Sequence, residues 1–291
     1  MGKPLTDNPD GALLEEAENW WTTSIIDVSP GRIAIRGYEI QELIGSITFA
    51  DMIWLMLKGD LPTRAQSKLL DAALVSAVDH GPQAPSIAIA RMAATCGVQM
   101  NSAMASGINV LGDVHGGAGE QCMELYNEIS EALYAQRVAI SSQDELARVT
   151  AGVVGDWRER GAKYLPGFGH RFHPVDPRVA PLLELADAAA TSGVVSGHYA
   201  AIGRSVMAVL GRKRETPVAM NIDGATAVIY SELGFPPELG RGLFVLSRSV
   251  GILAHAWEQG TRGERLKGPM PRSLPYRYTG MSTRHLGEAS A

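Results

Sequence analysis

The stretch PGFGHR at residues 166–171 decides how the chain is interpreted, because it sets His170 behind two glycines in a proline-led turn. Glycine tolerates positive φ and lets a ligand approach the backbone closely, so a histidine in this setting is expected on a turn that faces a pocket. A second histidine is followed by two glycines in HGGA at 115–118. One such histidine alone is more often a hydrogen-bonded core residue. Two of them, followed by the acidic motif NID at 221–223, predict a catalytic set.

The composition around these motifs is that of a globular protein with a large core. The chain has 291 residues, of which 45% are hydrophobic and 20% charged. A net charge of −5 disfavours a nucleic-acid binder. Cys96 and Cys122 have no metal-ligand spacing, so we expect reduced thiols, no metal and a cytoplasmic protein. The chain shows neither the layout of a secretion signal nor an apolar stretch of about 18 residues, so we expect no membrane span.

Hydrophobic periodicity predicts an all-α fold with one small N-terminal β-hairpin. The hairpin is expected at 22–38, around Pro30 and Gly31, after a flexible arm at residues 1–18. Apolar residues then recur every three or four positions, which is typical of helices that contribute to a core. DHGPQAP at 79–85 interrupts this pattern and leaves His80 at a helix end. The small residues of 86–111 favour a helix interface shared between two subunits.

Start and stop signals predict the helices of the second half. Asp176 is expected to cap a helix with Pro177 at its first position, which puts Arg178 in the first turn. Gly234 is expected to end a helix that begins near Asp223. A long apolar helix then contains Arg248, a cation that needs an anionic partner. For both arginines the choice lies between an ordinary role, at the surface or in an internal salt bridge, and a grip on a substrate carboxylate.

The chemistry that suits the three motifs is proton abstraction next to a thioester carbonyl. A carboxylate base succeeds there only if a donor already in place stabilises the enolate oxygen. Asp223 is the candidate base, His115 the donor to the enolate, and His170 the acid acting on the carbonyl of a second reactant. Arginines bind carboxylates through forked hydrogen bonds, which favours a reactant with two or three carboxylates. The candidate arginines are Arg178, Arg248 and Arg272.

Other enzyme classes lack their signatures in this chain. The serine hydrolase motif GxSxG, the metalloprotease motif HEXXH and the phosphate-binding GxxxxGK[ST] are absent from the sequence. The GxG at 167–169 lacks the further spacing and the strand–helix frame of a dinucleotide fold. A helical scaffold without catalysis is compatible with the composition, but it does not need histidines among glycines.

The ordered motifs resemble the citrate synthase superfamily over residues 22–280. RGYEIQEL at 36–43 and KGDLPT at 58–63 are similar to its N-terminal signature, and DHG, GDVHGGA, PGFGHR with DPR, NID and SRSVG follow in family order. The resemblance implies a two-domain helical subunit, with a large domain at 19–124 and 224–278, a small domain at 125–223 and a loose tail at 279–291. It also implies a homodimer or a dimer of dimers, an active site in the cleft between the domains, and coenzyme A thioesters as substrates.

The same resemblance implies a role for each motif residue. The catalytic positions are His115, His170 and Asp223. The dicarboxylate-binding positions are His80, Arg178 and Arg248, with Arg272 reached across from the partner subunit. The adenine of coenzyme A is expected against a turn formed by Pro166, Gly167, Phe168 and Gly169. The coenzyme A phosphates are expected near Arg212, Lys213 or Arg214.

Several local motifs are closer to citryl-CoA lyases and to the lyase module of ATP-citrate lyase. These are DHGP, GD before the glycine pair, NIDG and FVLSRSVG. His115, however, is a citrate synthase feature that the ATP-citrate lyase module replaces by an aromatic residue, and His170 and Arg178 are one residue closer than is usual in citrate synthases. We predict a citryl-CoA lyase. The alternatives are a short citrate synthase, a 2-methylcitrate synthase, or a silent regulatory subunit that binds coenzyme A.

Overall fold

The computed structural model describes residues 11–169, 175–212, 218–265, 273 and 277–284, with side chains from residue 16 onward. Helices dominate this part of the chain, and the strands form one small sheet. The predicted all-α fold with a small N-terminal β-hairpin is confirmed. In chain order the elements are α1 (Gly11–Trp20), β1 (Ile26–Ser29), β2 (Arg32–Ile35), β3 (Tyr38–Glu39), α2 (Ile40–Leu43), α3 (Phe49–Lys58), α4 (Arg64–Ser76), α5 (Pro85–Thr95), α6 (Met100–Ile108), α7 (Ala118–Ala135), α8 (Gln143–Glu159), α9 (Val179–Thr191), α10 (His198–Gly211), α11 (Ile222–Glu232) and α12 (Pro237–Thr261).

The predicted hairpin forms where Pro30 and Gly31 interrupt the β-branched run. β1 and β2 pair antiparallel with Ser29 opposite Arg32. Gly31 has a φ of 79°, a conformation that is cheap for glycine and costly for other residues. β3 then adds to the other side of β2. The hairpin is therefore part of a three-stranded antiparallel sheet.

The described chain divides into two compact units. The first comprises the described parts of Met1–Val78 and Gly116–Ser247, and the second those of Asp79–His115 and Arg248–Ala291. The first unit has a large apolar core built mainly from α4 and α7 to α11. The second has a smaller core in which α5 and α6 pack on the end of α12. This division does not test the domain boundaries expected from the family resemblance, which stay a prediction.

Capping residues set several helix ends of the first unit. α3 and α4 begin at complete capping boxes on Thr48 and Thr63, each reciprocated by the residue three positions later. Gly234 ends α11 with a φ of 70°, as predicted. Pro237 opens α12. These local signals are strong because each one satisfies backbone groups that a helix end leaves without partners.

One expectation needs correction. α9 begins at Val179, two residues later than expected. The carboxylate of Asp176 still accepts from the Arg178 backbone amide at 3.1 Å, and it also bonds to the Arg178 side chain and to the Ile222 amide. Residues 11–18 of the expected flexible arm form part of α1, whose sequence is rich in the helix formers Ala, Leu and Glu. The flexibility of this arm stays a prediction. Residues 1–10 of that arm and 285–291 of the expected tail lie outside the described residues.

Candidate functional site

An imidazole cluster in the second unit contains His80, Ser86, His115 and Arg248. Its best-defined contact joins His115 to Ser86. The Ser86 amide donates to Nε2 of His115 at 3.1 Å, and the Ser86 hydroxyl lies 3.1 Å from the same nitrogen. Ser86 is the second residue of α5, so its N–H is one of the donors that a helix start leaves without an intrahelical partner. His115 supplies that partner.

This contact fixes the protonation state of His115. A nitrogen that accepts a hydrogen bond carries no proton, so Nε2 is bare and Nδ1 carries the N–H of a neutral ring. Burial lowers the pKa of His115, and the charges of Arg248 and then His80 lower it further. The positive end of α5 acts in the same direction. His115 is therefore a neutral hydrogen-bond donor through Nδ1.

Close packing holds the Ser86 end of this contact. A Cβ added to Gly107 on α6 would lie 2.7 Å from the Ser86 carbonyl oxygen, which is too close for any side chain. α6 can therefore approach the first turn of α5 only with glycine here. On the other side, Gly116 directly after His115 has a φ of 110°, as the glycine pattern predicts. Part of the small-residue segment 86–111 therefore serves helix packing within the subunit.

His80 and Arg248 complete the imidazole cluster with different exposures. His80 is exposed and lies within the connection between α4, which ends at Ser76, and α5, rather than at a helix end as expected. Arg248 lies on α12 and is only 5% exposed. Both interact electrostatically with His115, and Arg248 carries a permanent positive charge. A guanidinium is a group that pairs with carboxylates through forked hydrogen bonds.

In the first unit, Asp223 lies on a rigid turn at the start of α11. The side chain of Asn221 caps this helix by accepting from the amides of Asp223 and Gly224. Asn221 also donates its side-chain amide to the Gly169 carbonyl at 2.8 Å and its backbone amide to the Gly167 carbonyl at 2.9 Å. The PGFG and NID motifs, far apart in sequence, are therefore bonded to each other.

Two glycines allow this close approach. A Cβ on Gly167 would lie 2.5 Å from the Cys122 sulfur and 2.8 Å from the Gly224 Cα. A Cβ on Gly224 would lie 2.5 Å from the Gly167 oxygen. Burial raises the pKa of the Cys122 thiol, a hydrogen bond with Tyr126 opposes the rise, and the charge on Asp223 adds to it. Asp223 is thus half-buried beside a neutral thiol.

Arg178 makes a forked ion pair within the first unit. Its Nε donates to Oδ1 of Asp176 at 2.9 Å, and its second terminal nitrogen donates to Oδ2 at 2.8 Å. Another N–H bonds to the Ser76 carbonyl. Asp176 also accepts from the Ile222 amide at 3.1 Å, next to Asp223. The same carboxylate therefore orients Arg178 and the NID motif.

Asp176 is ionised in the folded chain. It is 1% exposed, and that burial acts to raise the pKa of its carboxyl. The side-chain hydrogen bonds and charge of Arg178, together with the backbone amides, outweigh burial and lower the pKa to about 2. A buried carboxylate that is fully hydrogen-bonded is the expected exception to the cost of burying charge.

The expected coenzyme A residues divide into described and undescribed ones. Phe168 is buried and packs edge-on against Tyr126, so Pro166 and Gly169 carry more of the accessible surface of this turn. Arg212 is exposed at the end of α10. The remaining predicted site residues lie outside the described residues, namely His170, Lys213, Arg214 and Arg272.

Three positioning residues were not expected from the sequence as part of the site. Ser86 gives the acceptor nitrogen of His115 its partner, Asp176 orients Arg178, and Asn221 joins the two motifs of the first unit. A signal existed for Ser86, because Pro85 marks the first position of a helix whose amides need acceptors. Among the described residues, no group of three or more His, Cys, Asp or Glu could hold a metal ion. Within the same part of the chain, no helix is long and apolar enough to cross a membrane.

Comparison with known proteins gives two kinds of match. The family model described as "Citrate synthase, C-terminal domain" matches residues 16–70 and 65–269. The citrate synthase of Deinococcus radiodurans is 28% identical over 255 residues, which cover 86% of this chain and 62% of that protein. The chain therefore spans less than two thirds of the length of this curated relative.

Among the solved structures, one match covers nearly the whole length of both chains. Citryl-CoA lyase from Hydrogenobacter thermophilus is 32% identical with a TM-score of 0.77, and the match covers 92% of this chain and 98% of that one. ATP citrate lyase from Methanothrix soehngenii, solved in complex with citrate and coenzyme A, is 19% identical with a TM-score of 0.71. That match covers 96% of this chain and 46% of the other, and it shows a shared fold alone.

Proposed function

The chain belongs to the citrate synthase family, and on that premise we propose that it cleaves citryl-CoA into acetyl-CoA and oxaloacetate, and forms it in reverse. The observation that carries this proposal is the similarity to citryl-CoA lyase at 32% identity over 98% of that chain. The reaction breaks one carbon–carbon bond and leaves the enolate of acetyl-CoA, so it needs a donor for the enolate oxygen and an acid for the enolate carbon.

His115 is the proposed donor to the enolate oxygen. A neutral imidazole suits this task because its N–H hydrogen-bonds to a developing negative charge without giving up the proton. The Ser86 amide supports this role by occupying Nε2, which leaves Nδ1–H as the donating group. The lowered pKa of His115 keeps the ring neutral at physiological pH.

Asp223 is the proposed acid for the enolate carbon, and the base when the reaction runs in reverse. The Asp223 amide donates to the Asn221 side chain, which supports a fixed position for Asp223. The side chain is half-buried, so fewer water molecules solvate its carboxylate, and this supports a role in proton transfer. His170 is proposed to accept the hydroxyl proton of citryl-CoA as the oxaloacetate carbonyl forms; this role rests on the PGFGHR motif. His80, Arg178, Arg248 and Arg272 are the proposed ligands of the carboxylates.

We propose that coenzyme A carries the acyl group and that no metal ion takes part in the reaction. The turn at 166–169 supports a place for the adenine, because Pro166 and Gly169 carry its accessible surface. Arg212, with Lys213 and Arg214 beside it in sequence, is proposed to pair with the phosphates. The chain is proposed to be cytoplasmic, because Cys96 and Cys122 are both free thiols.

A homodimer or a dimer of dimers is proposed as the assembled form. Val250, Leu253 and Trp257 are exposed on α12 at a spacing that puts them on one helix face. A row of large apolar side chains in water is typical of a protein interface. Arg272 is proposed to serve the site of the partner, as the family resemblance implies.

A short citrate synthase is the second candidate function, because His115 occupies the position that ATP-citrate lyases fill with an aromatic residue. The two activities differ in the fate of citryl-CoA. The test supplies pure citryl-CoA, and separately acetyl-CoA with oxaloacetate, and follows acetyl-CoA, citrate and free thiol together.

The proposed lyase converts citryl-CoA into acetyl-CoA and oxaloacetate with little free thiol. Stoichiometric citrate and free thiol contradict the lyase and support the synthase. Binding of coenzyme A without turnover of either mixture would identify the chain as the silent regulatory subunit. Asp223→Ala serves as the inactive control in every arm.

A further inference from the structure

A chain of hydrogen bonds in the second unit ends at Asp79, the residue directly before His80. Burial acts to raise the pKa of the Asp79 carboxyl, but His255 and the backbone amides of Gly81 and His80 lower it. The Asp79 carboxylate lies 3.3 Å from Nε2 of His255 on α12. Gly81 has a φ of 84°, which turns the backbone sharply just after His80. The contact between Asp79 and His255 and the turn at Gly81 therefore flank the position from which the His80 side chain leaves the backbone.

The tautomer of His255 follows from its second neighbour. A terminal nitrogen of Arg91 lies 3.2 Å from Nδ1 of His255, and a guanidinium can only donate. Nδ1 is therefore the acceptor, and the ring proton sits on Nε2, where it is donated to Asp79. The same Arg91 nitrogen bonds to Glu258 at 3.1 Å, which anchors the guanidinium one helical turn beyond His255.

Arg91 therefore donates to Nδ1 of His255, and the Nε2–H of His255 donates to Asp79. Arg91 on α5 and His255 on α12 are mostly buried, with side chains 18% and 19% exposed. The helices at both ends hold these groups, while His80 itself is exposed on a connection. An exposed side chain on an unrestrained loop loses conformational freedom when it binds a ligand, and that loss weakens binding.

We propose that His255 and Asp79 are positioning residues that hold the His80 loop ready to bind the carboxylate-bearing reactant. This inference rests on the proposed function, in which His80 binds a carboxylate of citryl-CoA or oxaloacetate. His255 acts through Asp79 and the loop, so it sets the affinity for that reactant and leaves the chemical step unchanged.

The test compares two substitutions of His255. His255→Leu removes the donor to Asp79, and we expect KM for citryl-CoA and the dissociation constant for oxaloacetate to rise about 5- to 10-fold, the usual effect of one lost hydrogen bond. kcat is expected to change by less than about twofold. His255→Gln places an amide N–H near the position of Nε2–H, and it is expected to recover most of the affinity.

A double-mutant cycle with His80→Ala separates positioning from a general structural role. If His255 acts through His80, His255→Leu has no further effect on the dissociation constant once His80 is removed. The matched control is Asp187→Ala, which breaks an exposed ion pair with Arg204 in the first unit and is expected to leave both constants unchanged. Circular dichroism checks that each variant folds; Asp79→Asn replaces His255→Leu in the cycle if that variant does not.

Three results would overturn the inference. They are independent, multiplicative effects of His255→Leu and His80→Ala, a fall in kcat with KM unchanged, and a His255→Gln variant no better than His255→Leu. Oxaloacetate binding is measured by calorimetry without turnover. A wild-type protein that binds oxaloacetate but does not turn over citryl-CoA contradicts the proposed function, while the cycle still decides the role of His255.

Discussion

Removing the negative charge of Asp176 is expected to destabilise the first unit in a pH-dependent way. The pKa of this carboxyl is lowered from 3.8 to about 2, a difference that corresponds to roughly 2 kcal/mol of stability. A lowered pKa of an acid stabilises the folded state above the unfolded value and loses that effect as pH falls through the folded value. The contribution is therefore complete near pH 5 and above, and about half of it is lost by pH 3.

Asp176→Asn tests this directly, because it keeps the shape of the side chain and removes its charge. The free energy of unfolding at pH 7, measured by urea denaturation, is expected to fall by about 2 to 4 kcal/mol, since Arg178 also loses its partner. The matched control is Asp187→Asn, whose pair with Arg204 is exposed and is expected to contribute less than about 1 kcal/mol.

Measuring the free energy of unfolding of both variants from pH 5 to pH 3 gives a sharper test than the values at pH 7 alone. The difference between wild type and Asp176→Asn is expected to shrink from pH 5 to pH 3, while the difference for Asp187→Asn stays small throughout. Equal losses for the two variants at pH 7, or a difference for Asp176→Asn that does not change with pH, would refute the reasoning.

Three further results are expected. In ¹⁵N-histidine NMR, His115 is expected to stay neutral with its proton on Nδ1 at pH 6.5, because burial and Arg248 lower its pKa; a half-protonated ring at that pH contradicts the donor role. Gly167→Ala is expected to lower the free energy of unfolding by about 1 to 3 kcal/mol through overpacking, whereas Gly242→Ala, with open space around it on α12, is expected to be neutral or stabilising. Trp257→Glu is expected to dissociate the proposed dimer in light scattering at concentrations where wild type stays associated, and an unchanged mass argues against an interface on α12.

Sequence patterns predicted the elements of this fold well where a local rule decides the structure. The turn at Pro30 and Gly31, the end of α11 at Gly234 and the positive φ of Gly116 all depend on backbone preferences of a few neighbouring residues. The start of α9 was predicted two residues early, and the contact of the Asp176 carboxylate with the distant Ile222 amide could not be predicted from neighbouring residues.

The sequence singles out candidate site residues, but it does not give the contacts between them. His115 could be singled out from its glycines, yet its protonation state depends on Ser86, 29 residues away. The Asp79 contact with His255 joins residues 176 positions apart. Local patterns carry no information on such pairings, which is why the positioning residues emerge only from the folded chain.

Hydrogen exchange at the acetyl methyl group of acetyl-CoA tests the central claim most directly. In D₂O, with an unreactive oxaloacetate analogue bound, the wild-type protein is expected to incorporate deuterium because Asp223 removes a methyl proton and His115 stabilises the enolate. Asp223→Ala is expected to slow this exchange by about 10²- to 10⁴-fold. Equal exchange in the two proteins, or none in a wild type that still cleaves citryl-CoA, would contradict the account.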